Sequence, residues 1–254
     1  MLREFLFPSW KRVCMSKAKD KGWEQIYSLI EKELQPSHLH ALMGVEAIHE
    51  TILLYKEEFL PFVESCTLKL NSLMNTTDKQ LFKEVVRAKS ALLTKIHPNP
   101  AAIGKCVFNY IQATLEMRTD KEKLDMVKTL MEGAQSLLET NKIDLEEKEI
   151  LAMLQIVVNF RSFLNKRRKA VEKMLEGYIL KGELDPQEVE QKRERKTKVL
   201  REIKLCLPTI IASLLLKLHS KYLDKTISVH FSLLDDPATS PDDLQLVFLS
   251  SRKS

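Results

Sequence analysis

The chain has 254 residues, of which 44% are hydrophobic and 30% charged, and its formal net charge is +5. This composition is that of a globular protein and excludes a disordered or fibrous one. Only six residues are glycine, too few for a fold rich in β-hairpin turns, strand-to-helix elbows and phosphate-binding loops. The chain is rich instead in Leu, Lys, Glu, Met and Ala, which lose little entropy in a helix. The composition therefore predicts an all-α fold.

The chain divides into three predicted parts. Residues 1–21 are predicted to be a flexible tail, with aromatic residues followed by a basic stretch, and too few apolar residues for a secretory leader. Residues 22–234 are predicted to form a single all-helical domain, with a candidate sub-boundary near 141–144. Residues 235–254 are predicted to be a polar loop, a short helix and a polar tail.

Apolar residues recur at helical spacing between successive breakers. The predicted helices cover residues 23–34, 39–59, 62–74, 79–96, 101–117, 121–140, 144–181 and 187–223. Shorter helices are predicted at 225–234 and 242–249. The strongest breaker is the segment His97-Pro98-Asn99-Pro100, because proline restricts both itself and the residue before it.

The longest apolar run covers residues 205–216 and includes Pro208. A bilayer-spanning helix needs about 20 apolar residues, so the run is predicted to be a buried core helix, kinked at Pro208. No transmembrane segment is predicted.

Two helix starts hint at an internal repeat. Thr77-Asp78-Lys79 and Thr119-Asp120-Lys121 stand 42 residues apart, each before a predicted helix, and armadillo and HEAT repeats have a period of about 40–47 residues. The predicted architecture is a set of antiparallel helical hairpins. They form either an armadillo/HEAT-like helical stack or an irregular helical bundle, with residues 144–181 and 187–223 as a long C-terminal helical hairpin.

Known catalytic and cofactor-binding patterns are missing from the sequence. There is no G-x-S-x-G elbow, no glycine-rich phosphate loop and no cysteine in a catalytic context. Cys14, Cys66, Cys106 and Cys206 are widely separated, which favours buried, reduced thiols. We therefore predict a protein that is not an enzyme, with no catalytic residues and no cofactor.

Two histidine patterns were considered as metal ligands. Glu46-Ala47-Ile48-His49 is one half of a di-iron signature, but the second Glu-x-x-His motif that such a site needs is missing. His38 and His40 are two residues apart, so on a helix their rings point to different faces. No metal site is predicted.

Charge is spread unevenly along the chain. Residues 120–149 hold nine acidic and five basic residues, whereas residues 161–204 hold fourteen basic and eight acidic ones. The basic residues form two clusters on either side of the turn at 182–186: Lys166, Arg167, Arg168 and Lys169, then Lys192, Arg193, Arg195, Lys196 and Lys198. An antiparallel hairpin would bring the clusters together and raise the local positive potential, so these nine residues are the candidate partner-binding surface.

Several interpretations of this surface stay open. It could be a solvated helix face with i, i+4 ion pairs, or a docking surface for an acidic protein. It could also contact nucleic acid, an anionic lipid surface or a nuclear-import receptor, although the clusters lack interleaved aromatic residues for base stacking.

The main functional prediction is a non-catalytic adaptor or scaffold that binds a protein partner through helical surfaces, as a subunit of a larger complex. We expect it to be intracellular, in the cytoplasm, with the nucleus as an alternative location. The alternative function is a nuclear or nucleic-acid-associated subunit that uses the basic hairpin 161–204. A third interpretation is an enzyme of an unrecognised helical type.

Overall fold

The computed structural model describes residues 41–96, 99–120, 122–140, 143–180 and 185–221. These residues form helices without a strand among them, which confirms the predicted all-α fold. The predicted helices at 23–34, 225–234 and 242–249, and both tails, lie outside the described residues. The α-helices are α1 (Ala41–Tyr55), α2 (Val63–Leu73), α3 (Lys79–Ala91), α4 (Pro100–Met117), α5 (Leu124–Leu138), α6 (Glu147–Leu180) and α7 (Pro186–Lys221).

Two segments depart from α-helical geometry. A 3-10 helix at Lys56–Phe62 follows α1 and contains Pro61, so α1 ends four residues before the predicted end at Phe59. A π-helical segment at Leu92–Ile96 extends α3. Proline also lies inside α7, which continues through Pro208.

The two Thr-Asp pairs begin their helices differently. Asp78 is the N-cap of α3, and its Oδ1 accepts hydrogen bonds from the amides of Gln80 (2.8 Å) and Leu81 (3.1 Å). Asp120 Oδ1 accepts a hydrogen bond from the Glu122 amide, but α5 begins only at Leu124. The prediction that Asp120 caps a helix starting at 121 is therefore wrong, because its side chain closes a turn before the helix.

The chain separates into two compact units, one ending at Asn99 and the other beginning at Pro100. The division falls within the His97-Pro98-Asn99-Pro100 breaker. In the first unit, α3 packs against α1 and α2. Its core contains apolar side chains from all three helices, among them Val45, Ile48, Ile52, Cys66, Leu70, Leu81 and Val85.

The second unit contains α4, α5, α6 and α7. Helix α4 packs mainly against α5 and α6, and α7 packs mainly against α6 and α5. Buried residues include Ile103, Val107, Ile111, Val127, Leu130, Leu154, Phe160, Ile203, Ile210 and Leu214.

Helices α4 and α6 run in the same direction. The Asp144 amide, just before α6, donates a hydrogen bond of 3.2 Å to the carbonyl of Pro100 at the start of α4. Arg167, twenty residues into α6, contacts the carbonyl of Arg118 just after the end of α4.

Helices α5 and α7 also run in the same direction. Lys128 of α5 pairs with Glu202 of α7 at 2.7 Å. One turn further along each helix, the charge of Glu132 acts on Cys206. Each of the four helices of the second unit therefore has one neighbour that runs in the same direction: α4 has α6, and α5 has α7.

Residues 143–146 carry the chain past the first turn of α4, and Gly104 provides the room for this crossing. A Cβ atom at position 104 would lie 2.5 Å from the carbonyl oxygen of Asp144 and 2.8 Å from Cδ2 of Leu145. Gly104 and Leu145 are both buried. The start of α6 can therefore approach α4 closely only because residue 104 has no side chain.

Candidate binding surface on α6 and α7

Arg167 makes contacts within the second unit. Its Nη1 donates a hydrogen bond of 2.8 Å to the carbonyl of Arg118. The guanidinium carbons of Arg118 and Arg167 lie 5.5 Å and 5.9 Å from the centre of the Phe163 ring, within the range of a cation–π contact. Arg167 therefore ties α6 to the end of α4, and it cannot serve a partner without breaking these contacts.

Two further arginines of the clusters are engaged in ion pairs on their own helices. Arg168 Nε lies 3.6 Å from Glu172 Oε1 on α6, and Arg193 Nη1 lies 2.6 Å from Glu190 Oε2 on α7. Ion pairs at the surface stabilise a fold little, but each one lowers the positive charge available to a partner. Arg195 and Lys196 also belong to the second cluster. Their side chains lie outside the described part of the structure.

In contrast to these arginines, the described lysines of the two clusters extend into solvent. Lys166, Lys169 and Lys192 are exposed and form no ion pair with another described residue. Lys198 is exposed too, and its charge helps to lower the pKa of Glu202 on the same helix. At 100° per residue, Lys166 and Lys169 share one face of α6 with Lys173, which is also exposed. Lys173 stands outside the basic runs of the sequence, and only the helical period places it in this group.

The lysine face of α6, formed by Lys166, Lys169 and Lys173, begins at the level where α4 ends. Arg167 marks the level at which α4 stops, and α6 continues for 13 more residues to Leu180. At 1.5 Å per residue this is about 20 Å. Arg168, Lys169 and Lys173 thus lie on the part of α6 that extends past the end of α4.

The apolar run at 205–216 differs from the prediction of a wholly buried core helix. Leu207, Ile210, Ile211, Leu214 and Leu215 are buried, but Leu205 is 70% exposed and Leu216 is 42% exposed. The two exposed leucines are 11 residues apart, three helical turns, and so lie on the same face of α7. The run therefore has a core side and a solvent side.

A neighbouring side of this part of α7 is fixed to α5. The hydrogen bond between Lys128 and Glu202 raises the pKa of the lysine and lowers the pKa of the carboxyl group. Burial raises the pKa of the Cys206 thiol to about 11, and the nearby Glu132 carboxylate acts in the same direction. Cys206 is therefore protonated at neutral pH and is a poor nucleophile.

The described residues hold no group of three or more His, Cys, Asp or Glu side chains that could bind a metal ion. His49, from the Glu46–His49 motif, is half-buried on α1. His38, His40 and the side chains of the other histidines lie outside the description. In the part of the chain that is described, no helix is long and apolar enough to cross a membrane.

The environment of His49 predicts that acid destabilises the first unit. Burial lowers the pKa of His49 from 6.5, and Arg87 on α3 lowers it further, against smaller opposing effects of Glu84 and Glu50. Because the unfolded state then binds more protons, the free energy of unfolding falls as the pH drops from 6.5 towards the lower pKa of the folded state.

We expect wild type to be more stable at pH 7.5 than at pH 5.5 in urea titrations followed by circular dichroism. In His49→Gln, which cannot titrate, this difference should be smaller. An identical pH dependence in both proteins would show that His49 does not cause it.

Comparison of the chain with protein-family models, curated proteins and solved structures found no match.

Proposed function

We propose that the protein is a non-catalytic adaptor or scaffold that binds an acidic protein partner, as a subunit of a larger complex. One observation carries the proposal: Lys166, Lys169 and Lys173 form an exposed face on α6 without ion pairs to other described residues. Such a face attracts and orients an acidic surface. Lys192 and Lys198, exposed on the adjacent α7, extend the positive potential.

The finer architecture we propose is a stack of helical hairpins of the armadillo/HEAT kind. In such a stack, corresponding helices of successive repeats lie side by side in the same direction. The relation of α4 to α6 and of α5 to α7 supports this arrangement. The residues that join α4 to α6 are 44 positions apart at Pro100 and Asp144 and 49 apart at Arg118 and Arg167, near the 40–47-residue period of these repeats. Lys128 and Glu202, which join α5 to α7, are 74 positions apart, because α6 and α7 are much longer than α4 and α5.

A protein partner fits this surface better than nucleic acid does. Proteins that bind single strands stack bases on open aromatic rings, but Phe163, the aromatic residue beside the first cluster, is already in contact with Arg118 and Arg167. Phe160 stacks on it as well, with ring centres 6.2 Å apart. We propose that the protein acts in the cytoplasm, and treat a nuclear or nucleic-acid-associated role as an outcome of the test below.

The test is a triple charge reversal of the lysine face, Lys166→Glu, Lys169→Glu and Lys173→Glu. Arg167 is left unchanged because its loss would disturb the packing of α6 on α4. The matched control reverses three other exposed lysines, Lys83, Lys95 and Lys105. Each protein is used as bait in cell lysate, with and without nuclease, and bound proteins are quantified by mass spectrometry.

We expect wild type and the control to retain a stoichiometric protein partner after nuclease treatment. The lysine-face variant should lose at least 90% of it, with an unchanged far-ultraviolet circular dichroism spectrum. Equal recovery by the two variants would exclude the lysine face. If the bound partners are lost on nuclease treatment, the result would support the nucleic-acid-associated function instead.

A further inference from the structure

The solvent side of α5 is acidic. The exposed residues of this helix and its C-cap position are Asp125, Glu132, Ser136 and Glu139. The three acidic residues follow one another at intervals of seven positions, so they lie within an arc of about 40° around the helix. We call Asp125, Glu132 and Glu139 the α5 acidic face.

Basic groups nearby do not cancel the charge of the α5 acidic face. Lys128, the only basic residue of α5, is shared between Glu202 of α7 at 2.7 Å and Glu132 at 3.6 Å. Lys128 lowers the pKa of Glu202 most, Lys198 lowers it further and Asp125 raises it, so all three lie near Glu202. Two lysines thus stand against three carboxylates, and the exposed C-cap residue of α5 adds a fourth.

The lysine face of α6 also keeps an excess of charge, of the opposite sign. Two acidic residues border it on the same helix. Glu172 pairs with Arg168 at 3.6 Å, and Glu176 is exposed. With the pair set aside, the three lysines of the face stand against one glutamate.

The two faces have the same spacing. Lys166 and Lys173 are seven positions apart, as are successive members of the α5 acidic face, which is about 10.5 Å along a helix. Small residues lie four positions after the charged ones on both helices: Ala170 and Gly177 on α6, and Thr129 and Ser136 on α5. Small side chains let two helix axes approach closely, and opposite charges would then meet at equal intervals along both helices.

The two faces lie on different sides of the second unit. Helix α5 packs mainly against α4 and α7. Arg167 marks the side of α6 that contacts the end of α4, and the lysines of the face lie about 100–160° around the helix from it. The lysine face is therefore directed away from α4, and a second copy can bring an α5 acidic face to it.

We propose that the lysine face of one copy binds the α5 acidic face of a second copy. The two surfaces are different, so the contact is heterologous and leaves one face of each kind open for further copies. Exposed ion pairs are individually weak, and the association therefore depends on a high protein concentration. An anionic lipid surface has no fixed spacing of charges to match that of the lysines, so it fits them less well.

Self-association of this kind would regulate the adaptor. A second copy and an acidic partner compete for the same three lysines, so chains that associate with one another are withdrawn from partner binding. The inference rests on the proposed adaptor function in this respect, and it names a regulation of the same surface.

The test is a charge swap in the full-length chain, followed by sedimentation velocity. The lysine reversal is Lys166→Glu, Lys169→Glu and Lys173→Glu, and the acid reversal is Asp125→Lys, Glu132→Lys and Glu139→Lys. A third variant combines all six changes, and the control reverses the exposed Lys83, Lys95 and Lys105. Each protein is measured from about 10 µM to about 1 mM, at about 50 mM and about 500 mM salt.

We expect the mean mass of wild type and of the control to rise with concentration at low salt and to fall at high salt. Each three-residue reversal should self-associate at least tenfold more weakly. A mixture of the two reversals should associate, because each supplies the face that the other lacks, and the six-residue variant should associate with itself. Unchanged far-ultraviolet circular dichroism spectra show that the variants are folded.

Wild type that stays monomeric throughout, association that high salt does not weaken, or reversals that fail to associate when mixed would each overturn the inference. The acid reversal separates it from the adaptor function, because in lysate this variant keeps its lysine face and should retain the acidic partner. If wild type is monomeric and the lysine reversal still loses its partner, the adaptor function stands alone. If the charge swap succeeds and the lysine reversal keeps its partner, only self-association stands.

Discussion

Replacing Gly104 with alanine is expected to lower the free energy of unfolding of the second unit by about 2–4 kcal/mol. The new methyl group would lie 2.5 Å from the Asp144 carbonyl oxygen and 2.8 Å from Leu145 Cδ2. The first of these contacts is with backbone, so no side-chain rotation can relieve it. The chain at 143–146 must move away from α4, which weakens the hydrogen bond between the Asp144 amide and Pro100.

Gly177 on α6 is the matched control for this substitution. A Cβ atom added there meets no atom within 4 Å, and alanine is the better helix former by about 1 kcal/mol. Urea titrations should therefore show Gly177→Ala to be slightly more stable than wild type and Gly104→Ala much less stable. A Gly104→Ala variant as stable as wild type would show that the close crossing at position 104 does not exist in solution.

Phe160→Ala is expected to lower the free energy of unfolding by about 3–5 kcal/mol. Phe160 has no exposed surface, and its ring stacks on Phe163 with a centre-to-centre distance of 6.2 Å. Its removal leaves a cavity in the α4–α7 core and takes away the support of the ring that Arg118 and Arg167 contact. Urea unfolding followed by circular dichroism measures the loss.

Phe160→Leu separates the cost of the cavity from the cost of losing the aromatic ring. Leucine fills much of the space without an aromatic ring, so it should cost on the order of 1 kcal/mol. Hydrogen exchange locates the effect, and protection should fall in α4 to α7 while the amides of α1 to α3 keep theirs. A loss below about 1 kcal/mol for Phe160→Ala would contradict the tight packing at this position.

The helices of this fold could be predicted because their signals are local. Proline and the Gly-x-x-Asp-Pro turn mark the ends of α4, α6 and α7 within a few residues, since they act on the backbone of their immediate neighbours. The start of α5 was missed because Asp120 can equally cap a helix or close a turn. The division between the units falls at the strongest breaker, but how the helices pair within each unit depends on contacts far apart in sequence.

The candidate surface could be predicted only in part, for the same reason. Lys166 and Arg167 are adjacent basic residues, and only a contact with Arg118, 49 positions away, distinguishes them. Leu205 belongs to an apolar run that was predicted to be wholly buried, whereas one side of it faces solvent. Which side that is depends on where α5 and α6 pack, and this requires the tertiary structure.

The contact between Pro100 and Asp144 also bears on how the second unit is assembled during synthesis. A ribosome adds about 5–20 residues per second, so residue 144 emerges on the order of seconds after residue 100. During that interval α4 and α5 can already pair, but residues 143–146, which pass α4 beside Gly104, have not yet been synthesised. The face of α4 beside Gly104 stays uncovered until this segment is made, so a delay in translation after α5 prolongs its exposure.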